Sequence, residues 1–206
     1  YTTQSVDTSG RVFNKNERHT QANTISKRLN SNLAFRKKFL KQGRTLSVIF
    51  NENYSNTISE SQLNSIVTTM LNPTPQTIDQ RKANETENLQ ADATVSYTEP
   101  LNKVIFIEAN YTLTINNNEA KRLSFNKNTD GNYNLIDSLF SSHYNFDVLT
   151  NKGGANLKFV FKKLNFSFGG AIASTQFNQK DNFTNKTFHR SFTNFFPSAS
   201  VKYRPR

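Results

Sequence analysis

Polar and apolar residues alternate along this chain with the two-residue period of β-strands, and that alternation recurs in seven arms. In the first arm, 23–39, Leu29, Leu33, Phe35 and Phe39 share one parity, and Asn30, Asn32, Arg36 and Lys38 share the other. The second arm, 44–58, sets Leu46, Val48, Phe50 and Tyr54 against Thr45, Ser47, Asn51 and Asn53, with Ile49 out of phase. The third, 89–97, alternates Ala91, Ala93, Val95 and Tyr97 with Asp92, Thr94 and Ser96. The fourth, 103–116, is the cleanest: Ile105, Ile107, Ala109, Tyr111, Leu113 and Ile115 oppose Glu108, Asn110, Thr112 and Thr114. The fifth, 141–150, continues past Gly153-Gly154 to 162; the sixth is 165–177 and the last 187–203. The glycine pair predicts a bulge or bend, and Pro197, which cannot donate to a ladder, predicts a strand start or bulge.

The connections alternate in length. Short turns fall at 41–43, 99–102 and 162–164; long polar connections fall at 59–87, 117–138 and 178–186. The first long connection carries Pro73 and Pro75, with room for a brief helix over 61–71, and the second holds the turn signal Asp130-Gly131-Asn132. Short turns on one side and long loops on the other are the habit of a transmembrane β-barrel. The arms also exceed the five or six residues of an ordinary soluble strand.

Composition agrees with this. Hydrophobic residues are only 34% of the chain, yet it holds 18 Phe and 7 Tyr. A soluble core draws mainly on Leu, Ile, Val and Ala. Rings spread thinly through polar sequence suit a sheet with one lipid face and one wet face. No apolar run reaches 18 residues, so no membrane-spanning helix is expected. The first residues lack the basic and apolar regions of a signal peptide.

In hydrocarbon every backbone polar group needs an internal partner, so strands span only in a closed sheet. Seven strands are too few and odd in number for a bacterial barrel. The predicted fold is therefore all-β: an antiparallel meander of long strands, residues 1–206, forming part of a large transmembrane β-barrel.

The net charge is +11. The basic residues are dispersed along the chain, which places them in turns, in loops and on a wet lumen, and no nucleic-acid partner is expected. Cysteine is absent, which removes disulfides, thiolate metal sites and a Cys nucleophile. His19, His143 and His189 lack metal-ligand spacing, so no metal is expected. Gly153-Gly154 and Gly169-Gly170 fit no phosphate-binding fingerprint, and no cofactor is implied. Glu99 beside Asp92 or Glu108 reads as solvated charge near a turn, and no catalytic constellation suggests an enzyme. The Asn-X-Ser/Thr sequons match chance in a chain this rich in Asn, Ser and Thr. Tyr54, Tyr97, Tyr144, Phe195, Phe196 and Tyr203 lie near strand ends and are the candidate membrane-interface aromatics.

Four segments carry a resemblance: FLKQGRTLS (39–47), VSYTEPLNK (95–103), EANY (108–111) and NFFPSASVKY (194–203). They resemble the barrel region of TonB-dependent-receptor-like outer-membrane proteins of Bacteroidetes-type bacteria, over 23–206. The resemblance implies a bacterial outer-membrane location and a barrel of the 22-strand type. The partners it implies are membrane lipid, the remaining strands, a plug domain outside this chain and, in true receptors, TonB or a surface lipoprotein. The ligand stays open. A soluble all-β glycan-binding or adhesin module is the alternative.

Overall fold

The computed structural model describes residues 1–6, 8–10, 12–69 and 74–204. They form one antiparallel sheet: β1 (Thr2–Val6), β2 (Val12–Lys38), β3 (Thr45–Thr69), β4 (Gln76–Pro100), β5 (Ile105–Lys127), β6 (Tyr133–Ile136), β7 (Ser142–Val160), β8 (Leu164–Asp181) and β9 (Lys186–Tyr203). The spatial order follows the sequence, except that β6 pairs with the far end of β5 beside β7. Every pairing joins near neighbours in the chain, as a meander requires.

The registers are long and unbroken. β2 runs against β3 from Asn14↔Thr69 to Lys38↔Thr45 without a slip. The ladders β3–β4, β4–β5, β5–β7, β7–β8 and β8–β9 are equally regular. Register shifts occur only where β1 meets β2, at Ser5/Val6, and where β5 meets β6, at Asn126/Lys127.

Tight turns make the short end. In the first, Gly43 takes φ +87°, and Arg44 N–H donates to the Lys41 carbonyl (3.1 Å). A Cβ on Gly43 would also come within 2.9 Å of the Phe106 ring, so space and backbone both select glycine. In the second, the Asn102 side chain accepts from the N–H groups of Val104 and Ile105 (both 2.8 Å), an Asx-type closure. The third spans 161–163, where Phe161 N–H donates to the Leu164 carbonyl (3.0 Å).

The structure departs from the sequence reading in five places. The described residues hold nine strands rather than seven, the additions being the short β1 and β6. The long connections are mostly strand: β3 runs on to Thr69, β4 begins at Gln76, β5 reaches Lys127 and β8 reaches Asp181. There the strands keep their ladder bonds while both faces turn polar, so the alternation that marked the arms fades. Residues 61–69 of the expected helix belong to β3, and 70 and 71 lie outside the described residues. Gly153 and Gly154 make no bulge; they sit in the regular ladder opposite Tyr111 and Asn110. Pro197 lies inside β9, opposite Gly170, in a ladder that continues on both sides.

Gly154 and Gly169 answer to close packing. A Cβ on Gly154 would meet the Ala171 Cβ at 2.8 Å, and one on Gly169 would overlap the Ala155 carbonyl and Asn156. The bare backbone of Gly169 lets Ser198 of β9 reach over β8 to donate to Asn156 of β7 (2.8 Å).

Candidate functional site: an apolar belt and a polar wall

Because the registers are unbroken, each side chain is assigned to one face by its cross-strand partner. Leu29 lies opposite Tyr54, Tyr54 opposite Leu89, Val95 opposite Tyr111, Ile115 opposite Leu149, Leu157 opposite Phe168 and Ile172 opposite Phe195. The apolar parities of all seven long strands thus fall on one continuous face.

That face is exposed. Leu33 is 67% accessible, Phe35 58% and Val201 74%. Among the described residues the buried ones lie on the other face: Leu63, Ser65, Gln80, Pro100, Ser124 and Ala173. In a single sheet, the side that shields its residues is the concave one. The polar face is therefore the inner wall and the apolar face the outer one.

The outer apolar residues form a belt beginning at the short turns: 25–37 in β2, 46–58 in β3, 89–97 in β4, 105–115 in β5, 149–159 in β7, 164–172 in β8 and 195–203 in β9. Nine to thirteen residues at about 3.3 Å each, tilted about 40°, rise roughly 23–33 Å, the thickness of a bilayer core. Beyond the belt β3, β4 and β5 continue for about ten residues with polar outer faces, so the wall projects past the membrane on the long-turn side.

The outer parity of the belt is interrupted by Lys27, Ser31 and Lys37 in β2, by Glu52 and Asn56 in β3 and by Asn151 in β7, and Asn151 has its partner on the neighbouring strand. Asn151 faces outward, and its Oδ1 accepts from the Tyr111 hydroxyl (2.6 Å). The inner wall is laced by cross-strand hydroxyl and amide bonds: Thr94 with Thr112 (3.0 Å), Thr150 with Thr175 (3.0 Å), Ser26 with Thr57 (2.9 Å), and Asn51 donating to Asp92 (2.8 Å). Glu108 of that wall is paired with Lys158.

At the short-turn rim of the outer face, Glu99 accepts from Arg44 Nε (2.7 Å) and Nη2 (2.8 Å), from Lys41 (2.5 Å) and from the Tyr97 hydroxyl (2.6 Å). Tyr97 packs edge-on to Phe39, and Lys37 lies over the Phe39 ring at 5.2 Å. Glu99 thus lies on the opposite face from Asp92 and Glu108, so the three carboxylates form no pair. Among the described residues no cluster of His and carboxylates could hold a metal ion. Of the histidines, His143 meets Glu119 (2.6 Å), His189 meets Asn178 and His19 lies opposite Asn64.

The six candidate aromatics divide between faces. Tyr97 and Tyr203 stand on the outer face at the short-turn edge of the belt; Tyr54 and Phe195 stand on the outer face toward its long-turn edge. Tyr144 and Phe196 lie on the inner wall, which corrects their reading as lipid-interface residues. Neighbours along a strand point oppositely, so Phe195 and Phe196 cannot both face lipid. Phe196 instead lies under Lys152 (4.9 Å), and Tyr144 starts a line of inner rings through Phe146, Phe177 and Phe188, spaced 6.0–6.5 Å.

Sequence reasoning missed the densest outer group. Phe159 stacks on Phe166 (4.5 Å), with Phe168 and Phe161 within 6.1 Å of one or the other. The signal was present: these phenylalanines flank the third short turn in phase.

Among the described residues no helix is long and apolar enough to cross a membrane, which says nothing about crossing by strands. The class defined by belt, polar wall and meander is the outer-membrane β-barrel. Comparison with known families agrees: the model of the "Outer membrane protein beta-barrel family" matches residues 37–206. The chain belongs to that family, and its place is the outer membrane. No curated protein and no solved structure matches it.

Proposed function

We propose that this chain is part of the wall of an outer-membrane receptor of the TonB-dependent type, which admits a ligand through its lumen and performs no catalysis. The observation that carries the reading is the two-faced wall: a belt one bilayer deep outside, and Asn, Thr and Ser bonded to one another inside. Such a wall separates lipid from water along its whole height. The belt residues of β2 and β9 each have one unpaired edge within the described sheet, which further strands would close, since open edges in hydrocarbon cost several kcal/mol per unsatisfied group. The four resembling segments favour a wide barrel holding a plug, with TonB or a surface lipoprotein as working partner. The inner rings from Tyr144 to Phe188 give the mouth of the lumen apolar surface on which a ligand can rest.

The soluble adhesin reading is disfavoured by the exposed belt, whose face no second sheet covers among the described residues. The test is planar-bilayer conductance of the full-length parent. A plugged receptor is silent and conducts reversibly when urea unfolds the plug. A pore that is open without urea would overturn the receptor type, and a parent soluble without detergent would restore the adhesin.

A further inference from the structure

The charge of this chain is concentrated at one rim. The turns between strands, 39–44, 101–104 and 161–163, with four residues on either side of each, and 200–204 at the same edge hold eleven Lys and Arg against two carboxylates, Glu99 and Glu108. Both carboxylates are already paired, with Arg44 and Lys41 and with Lys158. The rest of the sequence holds fifteen basic residues against thirteen acidic ones. Nine of the eleven net positive charges therefore sit within a few residues of the short turns, the periplasmic side in a barrel of this kind, with Arg36, Lys38, Lys158 and Lys202 turned to the inner wall and the others in the turns or on the outer face.

At that rim the second and third turns frame an open cleft of about 550 Å³. Its floor is Val104, Ile105, Phe159 and Phe161. Ile105 and Phe159 are cross-strand partners on the lipid face, so the cleft continues the belt. Lys103 lines its mouth, and the exposed Lys162 and Lys163 follow Phe161 directly. An apolar floor with Lys103 on its lining and Lys162 and Lys163 in the adjoining turn matches an acyl chain beneath an anionic headgroup.

We propose that this cleft seats an anionic glycerophospholipid of the periplasmic leaflet, its acyl chain against Ile105 and Phe159 and its phosphate beside Lys103, Lys162 and Lys163. The inference rests on the belt and its orientation, and is independent of what the barrel carries. The seated lipid would cover the mouth between two hairpins at their most charged point. It would also favour insertion with the short turns toward the leaflet that supplies it.

The experiment uses the full-length parent in nanodiscs of phosphatidylethanolamine with equal parts phosphatidylglycerol and phosphatidylcholine, released into native mass spectrometry to count retained lipids. Retained phosphatidylglycerol is expected to exceed phosphatidylcholine several-fold, given attraction on the order of fivefold per lysine near an anionic surface. The triple variant Lys103→Glu, Lys162→Glu, Lys163→Glu is expected to erase the excess. Lys180→Glu, on the opposite rim, is expected to retain it. Ile105→Trp, which fills the cleft and keeps the cations, is expected to lose the retained lipid. Equal retention of both lipids by the unaltered parent would overturn the proposal, whatever the variants do. Undiminished retention in Ile105→Trp would overturn the acyl seat, and displacement of the lipid by free glycerol phosphate would reduce the site to a simple anion site.

Discussion

On the lipid face, in the middle of the belt, the Tyr111 hydroxyl donates to Asn151 Oδ1 at 2.6 Å. Asn151 stands in a position that the outward parity of β7 gives to lipid, between the rows of Leu149 and Gly153. An amide there has no water to turn to, and a phenol on the neighbouring strand supplies one partner from within the sheet. Tyr111→Phe is therefore expected to destabilise the folded parent by about 1–3 kcal/mol, the cost of a stranded polar group. Tyr111→Phe with Asn151→Leu is expected to recover most of that loss. The check is the urea midpoint of unfolding from lipid vesicles.

The faces predict opposite tolerance to charge at adjacent positions of β5. Leu113 lies at mid-belt on the outer face, and Thr112 beside it faces the wall's interior and bonds Thr94. Leu113→Arg is expected to cost about 2–4 kcal/mol. Thr112→Arg, with the lumen to extend into, is expected to cost clearly less. Folding yield into vesicles measures both.

Packing at the β7–β8 ladder distinguishes its glycines. A Cβ on Gly169 would overlap β7 and lie under the Ser198–Asn156 bond, whereas one on Gly153 meets nothing within 4 Å. Gly169→Ala is expected to destabilise by about 1–3 kcal/mol, as overpacking does, and Gly153→Ala to be nearly neutral. Thermal loss of the compact, heat-modifiable form in detergent reads the difference.

Above the membrane, Asp79 accepts from Lys127 (2.5 Å) and from the Tyr133 hydroxyl (2.6 Å), which ties β4 to the hairpin carrying β6. The hydrogen bond from Lys127, with that from Tyr133, holds the Asp79 carboxyl below the ordinary carboxylate range. Its contribution is therefore present above the ordinary value of about 4 and is lost as pH falls through the lower folded value. Amide exchange protection of Tyr133–Ile136 is expected to decline in acid below about pH 4. Asp79→Asn is expected to have the lower protection already at neutral pH and to lose that acid dependence.

What the sequence made legible follows from where one face was apolar. The arm 103–116 could be read because Ile105 to Ile115 alternate with polar partners against lipid, and that alternation is the belt itself. Strand beyond Ile58 could not be read, because Glu60, Gln62 and Asn64 on the outer face are as polar as Ser59 and Ser61 on the inner one. Ladder bonds, which leave no trace in side-chain pattern, hold those residues. The alternation of short and long connections was thus an alternation between turns at the membrane and hairpins raised above it. Phe195 and Phe196 show a second limit: proximity to a strand end suggested an interface for both, and only the register separates lipid from lumen. The rim charge was hidden for a similar reason, since lysines spread over four segments of sequence meet only when the turns are aligned.

The rim tie between Arg44 and Glu99 offers a contrast. Although bidentate, it is only part-buried at the rim, and ion pairs that keep contact with solvent contribute little. Glu99→Gln is expected to lower the urea midpoint less than Leu113→Arg does, and salt is expected to narrow its effect further.

The most direct test is a periodicity measurement along β5. The chain contains no cysteine, so single cysteines from 105 to 115 can each carry a nitroxide in the full-length parent, provided that parent also lacks other reactive thiols. Relaxation by lipid-soluble oxygen is expected to peak at the odd positions, Ile105 to Ile115, and relaxation by a water-soluble nickel chelate at the even ones. The opposite phase, or no two-residue period, would contradict a wall with lipid on the Leu113 side and water on the Thr112 side.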